Sequence, residues 1–331
     1  TSYMIGVARD DGDPDPARRY KQLEVFNIIH ERELIKEGVL SGGGGGYHGR
    51  LWTSPDGLVW STHPIRIPPG PVQFRSVVPT CLLVDADDPP RRYKAYCYTS
   101  MTRSSRAVAL LTSADGIHWR FDAANPVLDP EDRGYPWQPA GPVSHVHDVA
   151  VFRSGTDYLA IYQYIRHPIR LDLELAISPD GVGFRAAFAD HAVIPRGGPG
   201  TWDRGIMTAS PPVEAGRRQL LYYGATDYGH ESDEPLDPQR ERALSFRCGV
   251  AELRIDGFAA LRLDGDAHDG WLETVPFTAS EDLVLAVNAD CRGGRVLVQI
   301  VDALTNAPLP NMSFTNCQPV VLDGLALQPQ W

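Results

Sequence analysis

One short pattern, repeated three times, sets the strongest constraint on how this chain can fold. The pattern is Ser-x-Asp-Gly-x-x-aromatic, and it reads SPDGLVW at 54–60, SADGIHW at 113–119 and SPDGVGF at 178–184. Asp-Gly between two apolar, β-prone segments is a strong hairpin signal, because Asp and Gly tolerate the positive φ angles of a type I′ turn. Each copy is therefore predicted to join two antiparallel strands.

Further strand-like segments accompany each hairpin in a fixed order, and RIDGF (254–258) adds a looser fourth copy of the turn. In each repeat one strand-like segment precedes the turn, and these segments are ARRYKQLEVF, RRYKAYCY, DYLAIYQYI and QLLYYGATD. Another apolar strand stands upstream of each: SYMIGVARD, VVPTCLLVD, HDVAVFRS and IMTASPPVE. Four antiparallel strands repeated in this way are typical of propeller blades. The repeated aspartates are interpreted as structural, and the RRYK arginines as ties between blades.

The rhythm changes after the fourth turn. Strands are predicted over 282–290 and 294–303, which suggests a small β-sandwich-like module. We therefore predict an all-β chain with a β-propeller domain over 1–274 and a C-terminal β-sandwich-like module over 275–331. Four blades are visible, and a fifth is expected either before residue 1 or from the later strands.

Composition narrows the class of partner. The formal net charge is −11 and the arginines are scattered, which argues against nucleic acid, since affinity for phosphates depends on clustered Lys and Arg. No apolar run is long enough to span a membrane, and no charged-then-apolar leader opens the chain. We expect a soluble, cytoplasmic protein without a cofactor, although position 1 is Thr and a removed leader stays open. The oligomeric state is left open.

The five cysteines form no CxxC pair and no zinc spacing. Three of them, Cys81, Cys97 and Cys248, lie in strand-like runs and are predicted to be buried free thiols. Cys291 and Cys317 can pair, and the sequence alone does not decide between a disulfide and two thiols.

Several longer segments match a known family in order. They are DPDPARRYK (13–21), the repeated S-x-D-G-x-x-W, PGTWDRGIMTASPPV (199–213), LLYYGATD (220–227) and GVAELRIDGFAAL (249–261) followed by WLETVPF. As a set they resemble bacterial predicted glycosyl hydrolases related to glycoside hydrolase families 32 and 43, over roughly residues 10–320. The resemblance implies a five-bladed β-propeller with a C-terminal β-sandwich and a carbohydrate substrate. The W-M-N-D-P-N-G, R-D-P and E-C-P motifs of the better-known relatives are absent, so their catalytic carboxylates cannot be transferred.

Candidate site residues are sought where inner strands begin, because these strands line a propeller's channel and pockets with convergent polar groups are the usual sites. His145, His147 and Asp148 stand at the start of such a strand in SHVHDVAVF. Three titratable groups at a channel mouth suggest acid–base or binding chemistry. The alternatives are a polar loop with Asp148 capping a turn, and a metal bound by the two histidines, for which His-x-His is incomplete.

A second group, Trp202, Asp203 and Arg204, precedes the inner strand of the next blade in GTWDRGIM. An aromatic ring beside a carboxylate and a guanidinium suits a sugar, offering a flat apolar face and charged partners for hydroxyls. The alternative is a surface turn in which the two charges pair and Trp202 belongs to the core.

Glu174 lies among apolar residues in LDLELAIS. A buried carboxylate needs a partner, so it either faces the channel with a raised pKa or pairs with Arg166 or Arg170. The remaining candidates for substrate binding are Arg75, Asp227, Tyr228 and His230.

Two functions are compatible with these residues. The first is a glycoside hydrolase acting on a small-molecule or oligosaccharide substrate, with catalytic residues among Asp148, Asp203 and Glu174, because glycosyl transfer to water needs two carboxyl groups. The second is a non-hydrolytic protein on the same scaffold, either a sugar-binding module or an enzyme with other chemistry on a polar or cyclic substrate. Asp148 and Asp203 are predicted to share a pocket, with His147 and Arg204 beside them.

Overall fold

The computed structural model divides the chain into two compact units, Thr1–Phe258 and Ala259–Trp331. The division follows the fourth turn and falls earlier than the predicted boundary between residues 274 and 275. The structure describes residues 2–4, 6–26, 46–71, 77–100, 106–129, 145–166, 170–198, 200–227, 246–263, 265, 267–278 and 284–331. Within these ranges the helical elements are two 3₁₀ turns, Pro16–Arg18 and Pro89–Arg91, and no helix is long and apolar enough to cross a membrane.

The first unit contains four antiparallel sheets, one for each repeat, numbered here as blades 1 to 4. Blade 1 comprises β1 (Ser2–Met4), β2 (Ala8–Arg9), β3 (Tyr20–Phe26), β4 (Tyr47–Ser54) and β5 (Ser61–Ile67). Blade 2 comprises β6 (Val78–Val84), β7 (Tyr93–Ser100), β8 (Arg106–Ser113) and β9 (Arg120–Phe121). Blade 3 comprises β10 (His145–Ser154), β11 (Asp157–Arg166), β12 (Arg170–Ser178) and β13 (Arg185–Ala186). Blade 4 comprises β14 (Gly205–Ala209), β15 (Val213–Ala215), β16 (Arg218–Thr226) and β17 (Arg247–Arg254).

This arrangement confirms the all-β propeller architecture. Inner strands are continuous in blades 2 and 3, whereas in blades 1 and 4 the inner position is shared by two short strands that pair with one partner. The second unit contains the antiparallel pair β18 (Val287–Asp290) and β19 (Asp323–Leu327). The strand predicted over 294–303 forms only isolated bridges, at Val296 and Val301.

The first three Asp-Gly turns join the third and fourth strands of their blades, as predicted, but they are not type I′ turns. Only the Gly of each pair has a positive φ; in the second copy Gly116 has φ 79°. Ser113 Oγ accepts a hydrogen bond from the Gly116 amide at 2.9 Å, and Asp115 Oδ1 accepts one from the Ile117 amide at 2.8 Å. The Ser and Asp side chains therefore hold a longer loop, which is why both residues recur.

The aromatic residue that ends each copy packs against the preceding blade. Trp119 is 3% exposed and lies in a cluster with Leu51, and Phe184 is 9% exposed and meets Tyr96 edge-on with ring centroids 5.8 Å apart. The predicted burial is confirmed for these two residues, whereas Trp60 is less completely buried than they are. Within the described ranges no blade precedes blade 1 to cover it.

The fourth copy is displaced by one residue. Asp256, with φ 57°, takes the left-handed position that Gly fills in the other three turns. Phe258 then reaches Phe152 of blade 3, with ring centroids 5.3 Å apart. The turn is structural, as predicted, although its register differs from that of the first three.

Buried ion pairs connect blades 1, 2 and 3. Arg92 Nε donates to Asp10 of the preceding blade at 3.1 Å, and the Tyr93 hydroxyl donates to the same carboxylate at 2.6 Å. Blades 2 and 3 repeat the arrangement around Asp85, which pairs with Lys94 and accepts a hydrogen bond from Tyr158. Although burial alone raises the pKa of Asp85, the bonds from Lys94 and Tyr158 hold it below its usual value. The prediction that the RRYK segment ties blades together is confirmed for Arg92.

One cross-strand apolar pair recurs in every blade. Leu23 faces Leu51 in blade 1, Tyr96 faces Leu110 in blade 2, and Ile161 faces Leu175 in blade 3; each of these pairs is buried against the next blade. In blade 4 the corresponding residues, Tyr222 and Val250, are 42% and 52% exposed. Blade 4 therefore presents the same kind of apolar face without a described blade to cover it.

All five cysteines are free thiols. Cys81 and Cys97 are buried as predicted, and Cys291 and Cys317 are buried but unpaired. Cys248 is exposed, so its predicted burial is wrong. It lies two residues before Val250 on β17, so its side chain is on the same uncovered face of blade 4.

Candidate functional site

The start of β10 is irregular, and the irregularity falls on the predicted site residues. The strand begins at His145, so His147 and Asp148 belong to the strand rather than to a loop before it. Val146 and Val149 are three residues apart on β10, but their partners on β11 are only two residues apart. His147 and Asp148 therefore both stand opposite the single residue 163. Bulges of this kind re-aim side chains and are over-represented beside active sites.

Blade 4 repeats this bulge at the same level. Ile206 and Thr208 pair with consecutive residues of β16, so one extra residue stands between them. When the two blades are aligned by strand register, Thr208 occupies the position in blade 4 that Asp148 occupies in blade 3. The Thr208 hydroxyl, across the blade boundary, lowers the pKa of the Asp148 carboxyl group. Opposite Thr208 stands Gly224, where an added Cβ would lie only 3.4 Å from Thr208 Cγ2.

Asp148 has an unusual electrostatic environment. Its side chain is 35% exposed, yet burial by the surrounding protein raises its pKa to about 6, while the Thr208 hydroxyl acts in the opposite direction. Loss of water contacts disfavours the charged form of a carboxyl group, which is the cause of the increase. A carboxyl group with a pKa near neutrality can both donate and accept a proton under physiological conditions.

His147 lies beside this carboxyl group, its Nδ1 3.9 Å from Asp148 Oδ1. Tyr98 of blade 2 stacks on the imidazole, with ring centroids 4.2 Å apart and an interplanar angle of 23°. The Arg106 guanidinium carbon lies 5.8 Å from the Tyr98 ring centroid, within cation–π distance. The two rings and the guanidinium thus form a layered group at the boundary of blades 2 and 3.

His145 is engaged by the protein itself. Its Nδ1 accepts a hydrogen bond from the Arg106 backbone amide at 3.1 Å, which fixes the ring against blade 2 and leaves Nε2 as the protonated nitrogen of the neutral ring. A role for His145 in substrate binding stays a prediction.

The second group of candidates is arranged around Tyr223 on β16. Trp202 stacks on the Tyr223 ring, with ring centroids 5.8 Å apart and an interplanar angle of 16°. Burial and the nearby Asp203 charge raise the pKa of Tyr223. Gly249 makes room for this ring, since a Cβ there would lie 2.4 Å from Tyr223 Cζ. Arg204 is exposed at the start of β14.

Asp148 and Asp203 are associated with the inner strands of adjacent blades, at the end where those strands begin. A hydroxyl group is electrostatically coupled to each carboxyl group: Thr208 lowers the pKa of Asp148, and Asp203 raises the pKa of Tyr223. The shared pocket stays a prediction. Asp227 follows Thr226, which pairs with the first residue of β14, so the register brings it to the same end of blade 4 as Arg204.

Glu174 is wholly buried on the third strand of blade 3. The Tyr162 hydroxyl donates to its Oε2 at 2.8 Å, and the Asp190 amide donates to its Oε1 at 3.2 Å. These bonds attach the segment after β13 to the sheet. A catalytic role for Glu174 stays a prediction, and the side chains of its suggested partners, Arg166 and Arg170, are outside the described part of the structure.

Three more predicted binding residues, Arg75, Tyr228 and His230, lie outside the described residues. Among the residues that are described, no group of three or more His, Cys, Asp or Glu side chains is placed to hold a metal ion.

The sequence interpretation missed Thr208, Tyr98 and Tyr223. Thr208 stands in the quoted segment IMTASPP, but strict alternation could not assign its direction because the bulge shifts the register by one residue. Tyr98 ends the repeated RRYKAYCY segment, and its contact with His147 depends on packing between blades.

No family model and no curated protein matches this chain. Solved structures with the same fold include a chain named as a glycoside hydrolase from Parabacteroides distasonis, with 14% identity, a TM-score of 0.50 and coverage of 77% of this chain and 70% of that one. A chain named as a glycosidase from Bacteroides thetaiotaomicron matches with 15% identity, a TM-score of 0.50 and coverage of 79% and 72%.

A third structure is an N-acetylgalactosamine deacetylase from F. plautii in complex with blood group B trisaccharide, with 16% identity, a TM-score of 0.50 and coverage of 78% and 74%. At these identities the comparisons establish a shared fold. The chain has the propeller architecture found in sugar-processing proteins.

Proposed function

We propose that this protein is a carbohydrate-active enzyme that hydrolyses a glycosidic bond, with Asp148 and Asp203 as its two carboxyl groups. The observation that carries the proposal is Asp148 itself, a partly exposed carboxyl group on a strand bulge whose pKa is raised to about 6. The propeller fold shared with proteins named as glycosidases supports the substrate class.

The chemistry requires one group that protonates the leaving oxygen and a second that activates water or attacks the anomeric carbon. Asp148 suits the first task, because its raised pKa keeps part of the population protonated near neutral pH. Asp203 supplies the second carboxylate, and its charge raises the pKa of the nearby Tyr223 hydroxyl.

Further residues are proposed to bind the sugar. The stacked pair of Trp202 and Tyr223 offers an aromatic surface for the apolar face of a sugar ring. Arg204 and Asp227 are proposed to bind sugar hydroxyls from the same end of blade 4. Arg75, Tyr228 and His230 stay predicted binding residues.

The His147–Asp148 pair favours one alternative, an enzyme with different chemistry on a sugar, such as removal of an acyl group. In that case His147 and Asp148 act as an acid–base pair on a bound polar substrate. The fold is compatible, since a deacetylase of an N-acetylated sugar shares it.

The proposal is tested by screening aryl glycosides and N-acetylated aryl glycosides, and measuring kcat/KM for variants on any substrate that is turned over. Asp148→Asn and Asp203→Asn are each expected to reduce kcat/KM at least about 100-fold, because general acid–base catalysis typically contributes about 10²–10⁴. Glu214→Gln, an exposed carboxylate on blade 4, is the matched control and should retain activity.

Thermal melting of each variant checks that the fold is intact. Hydrolysis of the glycosidic bond with both aspartates required supports the first function, and release of the acyl group alone supports the second. If both aspartate variants keep near-full activity with unchanged melting, the assignment of the catalytic carboxylates is wrong.

A further inference from the structure

We propose that Gly197 is a positioning residue for Asp203: because residue 197 has no side chain, the Asp203 carboxylate can occupy the space beside its Cα atom. This assignment rests on the proposed function, in which Asp203 is the second carboxyl group. Gly197 lies just before the segment PGTWDRGIMTASPPV and outside the residues that the sequence pattern singled out.

The space beside Gly197 is filled by two polar side chains. A Cβ atom added to this residue would lie 2.1 Å from Asp203 Oδ1, 2.1 Å from Thr201 Oγ1 and 2.9 Å from Asp203 Cγ. To reach an ordinary contact distance of about 3.5 Å from that atom, the carboxylate would have to withdraw by more than about 1 Å. Gly197 does not have a positive φ, so glycine is required here by the contact and not by the backbone conformation.

Hydrogen bonds within the loop bring these side chains to Gly197. The Gly197 amide donates to the Asp203 carbonyl at 3.1 Å, which holds the two residues together. The Thr201 hydroxyl donates to the Gly198 carbonyl at 2.8 Å, and the Thr201 amide donates to the same carbonyl at 3.1 Å. The loop therefore folds back on itself, and the Asp203 carboxylate and the Thr201 hydroxyl both lie against Gly197.

The same loop is attached to two blades. At its start, Arg196 donates from Nε to Asp172 Oδ1 on β12 of blade 3 at 2.8 Å. At its end, Trp202 stacks on the Tyr223 ring on β16 of blade 4. The loop cannot move as a unit without breaking one of these contacts, so an added side chain would instead displace the Asp203 carboxylate.

Gly198 provides a matched control within the same loop. A Cβ atom added there meets nothing within 4 Å, the residue is exposed, and its φ is not positive. Alanine at either position keeps the backbone carbonyl and restricts the unfolded chain to a similar extent. A difference between Gly197→Ala and Gly198→Ala therefore reports the collision with Thr201 and Asp203.

The first experiment detects the displacement and needs no substrate. Protein labelled with ¹³Cγ-aspartate is observed by NMR, and the Asp203 signal is identified by its loss in Asp203→Asn. Gly197→Ala is expected to shift the Asp203 signal, whereas Gly198→Ala should leave it at the wild-type position. An unmoved Asp203 signal in folded Gly197→Ala overturns the inference, as does an equal shift in Gly198→Ala.

Thermal melting tests which atoms exclude a side chain at residue 197. Gly197→Ala should melt at a lower temperature than Gly198→Ala, and this loss should disappear in a background where Thr201→Ala and Asp203→Ala remove the two side chains. A loss that persists in that background overturns the inference.

If Gly197→Ala does not fold, as judged by circular dichroism, Gly197→Ala/Thr201→Ala takes its place in the NMR comparison, since it leaves only the carboxylate in the way. If that variant does not fold either, recovery of the fold on adding Asp203→Ala supports the contact, and failure to recover overturns it.

Kinetics separate this inference from the proposed function. On any substrate found by the screen, Gly197→Ala should lower kcat at least about 10-fold and more than it raises KM, because a misplacement of about 1 Å can cost about 10²-fold. Gly198→Ala should keep near-wild-type kinetics. If Gly197→Ala shifts the Asp203 signal and keeps kcat while Asp203→Asn is inactive, the positioning role is wrong. If Asp203→Asn is active as well, the catalytic assignment of Asp203 is wrong and the contact with Gly197 stands.

Discussion

The raised pKa of Asp148 predicts a change in stability with pH that can be measured without any substrate. A carboxyl group whose pKa is near 3.8 in the unfolded chain and about 6 in the folded protein favours the folded state below pH 4. That contribution is lost as the pH rises through 6, because the folded protein must then carry a poorly solvated charge. Asp148→Asn removes this charge and keeps the size of the side chain.

The magnitude follows from the pKa difference. A pKa shift of about 2 units corresponds to about 3 kcal/mol, because one pKa unit is equivalent to about 1.4 kcal/mol. Since 35% of the Asp148 side chain is exposed, solvent screening reduces this value, and we expect Asp148→Asn to be more stable than the wild type by about 1–2 kcal/mol at pH 8. At pH 4 the two proteins should differ little.

The assay is urea unfolding followed by tryptophan fluorescence at pH 4, 6 and 8, with Glu214→Gln as the control for loss of a carboxylate on an exposed strand. The quantity to compare is the difference in unfolding free energy between variant and wild type at each pH. A difference that is the same at all three values, or one that favours the wild type at pH 8, would falsify the assignment of a raised pKa to Asp148.

Three further predictions concern the fold. Trp119→Ala should lower the unfolding free energy by about 3–5 kcal/mol. Trp60→Ala, at the equivalent but half-buried position, should lower it clearly less. Equal losses in urea unfolding would show that packing against the preceding blade is not what stabilises the repeat. Lys94→Met should destabilise by about 3–5 kcal/mol because it leaves Asp85 buried without its main cation, and the loss should shrink when Asp85→Asn is added, as a double-mutant cycle would show. Gly181→Ala should lower the melting temperature by several degrees, since φ is +68° and the new Cβ would lie 2.9 Å from a tyrosine ring; an unchanged melting temperature contradicts the left-handed turn.

Much of the fold could be predicted because each blade is specified locally. The Ser-x-Asp-Gly pattern contains the groups that hold its own turn, as the bonds of Ser113 and Asp115 to neighbouring amides show. The segments around it alternate in the way a strand requires, so strand order and blade number within the described residues could be derived from spacing alone. The type of turn was wrong because two-residue and longer loops share the same Asp-Gly letters.

The starts of the inner strands were also accessible from the sequence, which is why Asp148 and Asp203 were chosen. Their partners were not. Thr208 and Tyr223, which are electrostatically coupled to these carboxyl groups, lie on neighbouring strands, and the spacing of residues along the chain predicts neither coupling.

The sequence by itself determined the repeating blade, its turns and the polar residues at the beginning of each inner strand, because these depend on residues a few positions apart. Only the tertiary structure decided which way those polar residues point. A bulge adds one residue to β10 and one to β14, and a shift of a single residue reverses the face of every side chain that follows. The tertiary structure also determines the pKa of Asp148. That pKa depends on how much protein surrounds the carboxyl group and on the Thr208 hydroxyl, which is about sixty residues away in the chain.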